Sequence, residues 1–205
     1  MGLDLDYKDG QTPLEEEEKD GLLIPTIATR GELDEFEQQN IEQAVQWTFG
    51  RSLKAELIFT EDFIRRVHKR MYADVWAWAG EFRKTNKNIG VDKWLIPTEL
   101  RTLLDDAKFW HINKTFSPDE TTIRFKHRLV SIHCFPNGNG RHSRLMADIV
   151  IEKIFKLPHY TWGAANLPTG KKGFVKQDDT RTAYLNAIKT ADRGDIQPLI
   201  NFARS

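Results

Sequence analysis

His133-Cys134-Phe135-Pro136-Asn137-Gly138-Asn139-Gly140-Arg141-His142-Ser143-Arg144 is the stretch that decides the reading of this 205-residue chain. Gly138-Asn139-Gly140 cannot continue a helix, yet Met146, Ile149, Val150 and Ile154 follow at helical spacing. A helix therefore begins at the glycines, with its first amides pointing outward at the positive end of its dipole, an arrangement that binds phosphate oxygens. Arg141 and Arg144 fall three residues apart in the first turn, so both guanidiniums reach the same side and can take successive phosphates of one polyphosphate. Cations at a helix N-terminus cost roughly 0.3 to 1 kcal/mol each, so their presence asks for an anionic ligand. His133 closes the preceding helix and faces the same loop; an unperturbed pKa of about 6.5 suits it to take a proton from a hydroxyl near neutral pH.

Working outward, Ser117-Pro118-Asp119-Glu120 places a capping serine before a proline at the first helical position, and Phe125, Leu129 and Ile132 give that helix a core face to about residue 134. Pro97-Thr98-Glu99 opens another helix to about 113, with Leu100, Leu103, Leu104 and Ala107 in register. Upstream, Thr29-Arg30-Gly31-Glu32 has capping-box spacing before a helix to about 47, and Thr60 opens one expected to reach about 77 before Gly80 ends it. Asn88-Ile89-Gly90 and Asp92-Lys93 between apolar residues give a weak hairpin signal over 82–95. Two helices split at Gly194 close the chain, beyond Gly170-Lys171-Lys172-Gly173, which lacks a complete phosphate-loop pattern and reads as a surface loop. The expected architecture is all-α: a helical bundle with one small β-hairpin. Residues 1–28 read as an N-terminal arm with a four-glutamate run, and 29–205 as the domain.

Composition narrows the function classes. Thirty Lys plus Arg balance thirty Asp plus Glu, so no overall field draws in nucleic acid or an anionic membrane. No apolar run reaches membrane-spanning length, the first residues are acidic where a secretory signal is basic then apolar, and Cys134 stands alone, without an internal disulfide partner. These features suggest a cytoplasmic, soluble protein with neither membrane nor nucleic-acid partner. His68, His111, His127 and His159 show no zinc-ligand spacing, and His142 is expected to face solvent or a target.

The 133–144 segment resembles the signature of the Fic family, H-x-F-x-(D/E)-G-N-G-R-x-x-R, and matches it at His133, Phe135, Gly138, Asn139, Gly140, Arg141 and Arg144. Val75 to Arg83 resembles the family's WAGxxR stretch before a flap hairpin. Ala191 to Asp195 with Leu199 is similar to its last helices, so the likeness covers about 30–203. Gly10 to Leu14, Gly21 to Leu23 and Thr29 to Asp34 further resemble a bacterial subgroup called mobile mystery protein B. The resemblance implies a protein adenylyltransferase that moves AMP from ATP to a hydroxyl of a target protein. On that reading His133 is the general base for a Ser, Thr or Tyr hydroxyl. Gly138, Asn139 and Gly140 hold the α- and β-phosphates, Arg141 and Arg144 the phosphate tail, and Phe135 anchors the loop in the core. The flap, with Asn88, Ile89, Gly90 and Val91, registers the target by main-chain pairing.

One position departs from the pattern. Asn137 stands where the family has an acid, and its neutral oxygen can ligate Mg²⁺ but supplies no charge to hold it. That leaves two alternatives open: a weak or silent module that binds nucleotide or a partner, and another phosphoryl-type transfer on the same scaffold. No strict copy of the family's inhibitory S/T-x-x-x-E-(G/N) helix is present, so restraint falls to a separate antitoxin-like partner, the favoured option, or to a divergent glutamate on the first helices.

Overall fold

The computed structural model describes residues 13–164 and 177–205. Its helices are α1 (Glu16–Lys19), α2 (Arg30–Phe49), α3 (Ala55–Ile58), α4 (Glu61–Tyr72), α5 (Ile96–Asn113), α6 (Pro118–Ile132), α7 (Asn139–Lys153), α8 (Gln177–Asp192) and α9 (Gln197–Arg204), with a 3₁₀ turn at Lys93–Leu95. Three starts follow from the capping residues. Thr29, Thr60 and Ser117 accept the amides of Glu32, Phe63 and Glu120 at 3.2 to 3.3 Å, each bond worth about 1 kcal/mol of helix stability. Among the described residues the only β pairing is an isolated antiparallel bridge, Leu22 to Trp76, so the fold is all-α.

Why α7 sits at the centre is visible in its sequence. Leu145, Met146, Ile149 and Val150 enter a large core with α2, α4, α5 and α6, while Ala147 and Ile151 enter a second one with Tyr160, Ala187, Ala191, Leu199 and Ala203 of the C-terminal helices. A helix apolar on two sides must be covered on both. Burying each large aliphatic side chain contributes roughly 1.5 to 3 kcal/mol, so the element that carries the arginines is also the best-anchored one.

Two expectations are corrected. The helix expected to about 77 stops at Tyr72, because the backbone beyond it is claimed by other partners: the Asp74 amide by the Asn40 side chain, the Val75 carbonyl by the Leu23 amide, and the Ala77 amide by the Gly21 carbonyl. Residues 82–92 form no strand pair either. Lys93 donates its amide to Asn86 Oδ1 at 2.8 Å and Asn86 donates to Asp92 at 2.8 Å, so side chains close this loop where a ladder was expected. Gly170 to Gly173, and Gly10 to Thr12 of the N-terminal resemblance, lie outside the described residues.

Candidate active site

The loop from His133 to Gly138 is held by side chains in the core. Asn139 accepts the Phe135 amide at 3.0 Å and donates to the Phe135 carbonyl at 2.8 Å, which folds residues 135–139 into a closed turn. The Asn139 side chain is therefore a staple within the protein; only its backbone amide is left for a ligand. Phe135, fully buried, stacks on His68 with 3.7 Å between ring centres. His68 in turn accepts the Gly80 amide on Nδ1 at 3.0 Å, so its proton sits on Nε2 and is donated to the Asn137 carbonyl at 3.1 Å. Gly138 takes φ +76, and a Cβ there would lie 2.5 Å from the Tyr72 ring; both facts demand glycine.

This turn ends at the start of α7. Among the described residues the amides of Asn139, Gly140 and Arg141 donate to no protein atom, and the first helical hydrogen bond runs from His142 to the Gly138 carbonyl at 2.9 Å. A Cβ on Gly140 would meet nothing within 4 Å, so the space above the helix end is open. Outward amides, a positive dipole end and open space are the features by which a helix start can bind an anion.

Arg141 lies beside it. Its guanidinium donates to Glu37 of α2 at 2.5 Å and sits 5.3 Å from the centre of the Tyr72 ring. Burial alone would weaken the charge, but Tyr72 and Glu37 outweigh it and the arginine is held more firmly protonated than usual. Glu37 is almost wholly buried and also accepts the Trp76 indole at 2.7 Å, so it is a fixed countercharge. The Arg144 guanidinium lies 5.5 Å from the centre of the Tyr184 ring.

His133 caps α6 in the left-handed region, φ 58° and ψ 60°, a costly conformation for a residue with a side chain. It is kept there because three successive carbonyls at that helix end have partners from the flap. The Val91 amide donates to Ile132 at 3.3 Å, the Arg83 guanidinium to His133 at 2.7 Å, and the Arg83 amide to Cys134 at 2.9 Å. Arg83 also donates to the carbonyls of Thr85 and Val91, so one buried guanidinium fastens both sides of the flap to the residue it covers. Gly90, at φ +99, approaches so closely that a Cβ would lie 2.6 Å from that of His133. The His133 ring is buried: desolvation first, then the Arg83 charge, push its pKa down to about 4 against an opposing hydrogen bond from the ring to the Val130 carbonyl. At neutral pH it is an uncharged imidazole, the form that can accept a proton.

The structure thus brings together His133, Gly138, Asn139, Gly140, Arg141 and the flap residues Gly90 and Val91, while Asn88 and Ile89 of the flap are exposed. Two residues behave differently from expectation. His142 is buried, within 3.0 Å of the Ile64 carbonyl through Nε2, and desolvation lowers its pKa to about 4, so it neither faces solvent nor contacts a target. Asn137 spends its Oδ1 on the Gly138 amide at 2.6 Å. That oxygen, the one metal ligand the sequence offered, is neutral and already engaged. No group of three or more His, Cys, Asp or Glu among the described residues could hold a metal ion, so these donors do not fit a resident Mg²⁺. Sequence reasoning passed over Glu37, His68, Tyr72 and Arg83 as site residues. The helical period of α4 could have found two of them, because His68 and Tyr72 fall at i+4 and i+8 from Ile64 on its buried face.

The Fic/DOC family model matches residues 58–151, the span from the end of α3 into α7 that contains the His133 to Arg144 loop and the flap; Glu37 of α2 lies outside it. Residues 58–151 are a Fic/DOC family domain. Curated relatives include proteins named protein adenylyltransferase Fic from Aedes aegypti and Drosophila grimshawi. Each is 26% identical, over 159 and 155 residues, or 73% and 74% of this chain but 29% of each relative. The chain therefore spans less than a third of the length of these relatives. Among solved structures, Fic-1 (residues 134–508) from C. elegans superposes with a TM-score of 0.67 at 22% identity, covering 90% of this chain and 51% of that one. BepC from Bartonella tribocorum, crystallised with bound AMPPNP, gives 0.64 at 18% identity and covers 93% and 97%. These likenesses show that the helical arrangement is the Fic fold. No helix among the described residues is long and apolar enough to cross a membrane.

Proposed function

We propose that this chain transfers AMP from ATP to a hydroxyl group of a target protein. The observation that carries the reading is the pairing of two features on either side of one short loop: unengaged amides of Asn139, Gly140 and Arg141 at the start of α7, and the uncharged His133 ring at the end of α6. The Phe135 to Asn139 hydrogen bonds fold the intervening chain back, so His133 is only two residues, about 7 Å of chain, from a position locked to the helix start. The names of the curated relatives support the same chemistry.

In the proposed reaction the amides of α7 and the arginines hold the triphosphate, and the acceptor hydroxyl lies beneath the flap against His133. The ring takes the hydroxyl proton as the oxygen bonds to the α-phosphorus. The bond from that phosphorus to the bridging oxygen breaks, and pyrophosphate leaves with its charge spread over Arg141 and Arg144. For Arg141 to serve, its bond to Glu37 must yield to phosphate. Glu37 thus competes with the ligand, a restraint of the kind expected from a glutamate on the first helices, and a separate antitoxin-like partner is not required for it. Any Mg²⁺ would be held by the nucleotide's own phosphates, and no step here depends on a protein-held metal.

Asn137 favours a second reading, a module that binds nucleotide without turnover. ATP labelled at the α- or the γ-phosphate separates the two. AMP transfer puts only the α label on protein and loses it in His133→Ala; binding with no label on protein supports the silent module; γ label on protein means phosphorylation.

A further inference from the structure

The flap is gripped from a second side. Residues 13–24 run along the turn that follows α4 as a strap. The Leu23 amide donates to Val75, the Ala77 amide to Gly21, and the Trp78 indole to the Glu18 carbonyl at 2.9 Å. Gly21 lies so close to Trp78 that a Cβ would come within 2.7 Å of the indole. Leu14 is buried in the main core. The strap thereby delivers two carboxylates to the flap loop, the buried Glu18 and the half-exposed Glu15, whose Oε1 lies 3.6 Å from the Lys87 ammonium.

The Glu18 carboxylate accepts from three donors. Oε1 accepts the Thr85 hydroxyl at 3.2 Å, and Oε2 accepts the Glu15 amide at 2.8 Å and the Lys87 ammonium. Lys87 also donates to the Pro13 carbonyl at 3.2 Å. The Lys87 side chain is only 2% exposed and that of Glu18 11%, so this is a desolvated ion pair. Removing the Glu18 charge leaves Lys87 only the longer contact to the half-exposed Glu15, and removing Lys87 leaves the Glu18 charge without its cation in a poorly hydrated place. Thr85 and Lys87 flank Asn86, whose side chain closes the flap, and the Thr85 carbonyl is one of the oxygens held by Arg83. A continuous chain of polar contacts therefore runs from Glu18 through Thr85 and Arg83 to the His133 carbonyl.

We infer that Glu18 is a positioning residue: through Lys87 and Thr85 it fixes the flap over His133, and so sets how an acceptor protein is presented to the base. The part concerning the acceptor rests on the AMP-transfer reading; the part concerning the flap does not. Glu18 touches no reacting atom. Losing its charge frees the loop at 85–87, and the amides of Arg83 and Val91, which close on Cys134 and Ile132, open more often.

Hydrogen exchange on the full chain tests this, comparing the unmodified protein with Glu18→Gln, Lys87→Gln and the charge-exchanged pair Glu18→Lys with Lys87→Glu. A bond to a charged group contributes about 1.5 to 3 kcal/mol, so either single variant should speed exchange at the Arg83 and Val91 amides about tenfold or more. Mid-helix amides of α5 and α7 should keep their rates, and the exchanged pair should recover much of the flap protection. With α-labelled ATP and whole-cell protein as acceptor, Glu18→Gln should lower label on protein relative to AMP released to water by a similar factor. Unchanged exchange at the flap, or acceleration spread evenly over all helices, overturns the inference. If the unmodified chain places no α label on protein, the transfer reading fails, and the exchange rates still decide whether the strap fixes the flap.

Discussion

Lowering the pH from 6.5 to 4 should remove a large part of this protein's stability, and the cause lies in the site. His133 and His142 are buried with pKa values pushed from 6.5 down to about 4, and burial with the neighbouring His142 holds His68 well below its ordinary value. Between those values the unfolded chain binds protons that the native state refuses. The stability these rings contribute is therefore complete above pH 6.5 and lost as pH falls toward 4. At 1.36 kcal/mol per pKa unit, His133 and His142 each account for about 3 kcal/mol over that interval. Asp148 acts in the opposite sense. Burial raises its pKa from 3.8 to about 6, so its native form binds the extra proton and gains stability on acidification, offsetting about 3 kcal/mol. About 3 kcal/mol of loss remains before His68 is added, against a total of about 5 to 15 kcal/mol for an ordinary domain. Urea unfolding at pH 7, 6, 5 and 4.5 measures it: the midpoint should drop at each step below 6.5. His142→Gln, which keeps an N–H for the Ile64 carbonyl, should reduce the slope by about 1.4 kcal/mol per pH unit. A midpoint independent of pH from 7 to 4.5, or an unchanged slope in His142→Gln, would refute the account of a buried, neutral site.

Replacing Gly138 by alanine should cost about 2 to 3 kcal/mol in urea unfolding, because the new Cβ meets the Tyr72 ring and φ is positive. Gly140→Ala should do the reverse, raising stability by up to about 1 kcal/mol as a helical glycine is replaced, while calorimetry shows weaker ATP binding where phosphate would approach the helix end. Glu37→Gln keeps an acceptor for the Trp76 indole but removes the charge facing Arg141; ATP affinity should rise about tenfold by calorimetry, and an unchanged affinity would mean that Arg141 is not contested.

Much of this was legible in the sequence, for identifiable reasons. Helix starts at Thr29, Thr60 and Ser117 carry local capping chemistry, and the glycine run before Arg141 declares both a break and an anion site. What stayed hidden depends on distant partners. The end of α4 is set by the strap, which reaches Val75 and Ala77 from more than fifty residues away in the chain. The loop at 82–92 alternates as a hairpin does, yet Asn86, Asp92 and Arg83 satisfy its backbone through side chains. His142 follows an exposed-looking arginine in a polar run, but α7 is covered on both sides and the ring is buried with it. Glu37 lies 104 residues before the arginine it holds, and no local pattern marks such a pair.

A crystal structure of the chain with a non-hydrolysable ATP analogue tests the central claim most directly. The account predicts phosphate oxygens within hydrogen-bond distance of the Asn139, Gly140 and Arg141 amides, the Arg141 guanidinium turned from Glu37 to the phosphates, and the α-phosphorus on the side of the α7 terminus that faces His133. Nucleotide bound elsewhere, or Arg141 still on Glu37 with the helix end empty at saturating analogue, would contradict it.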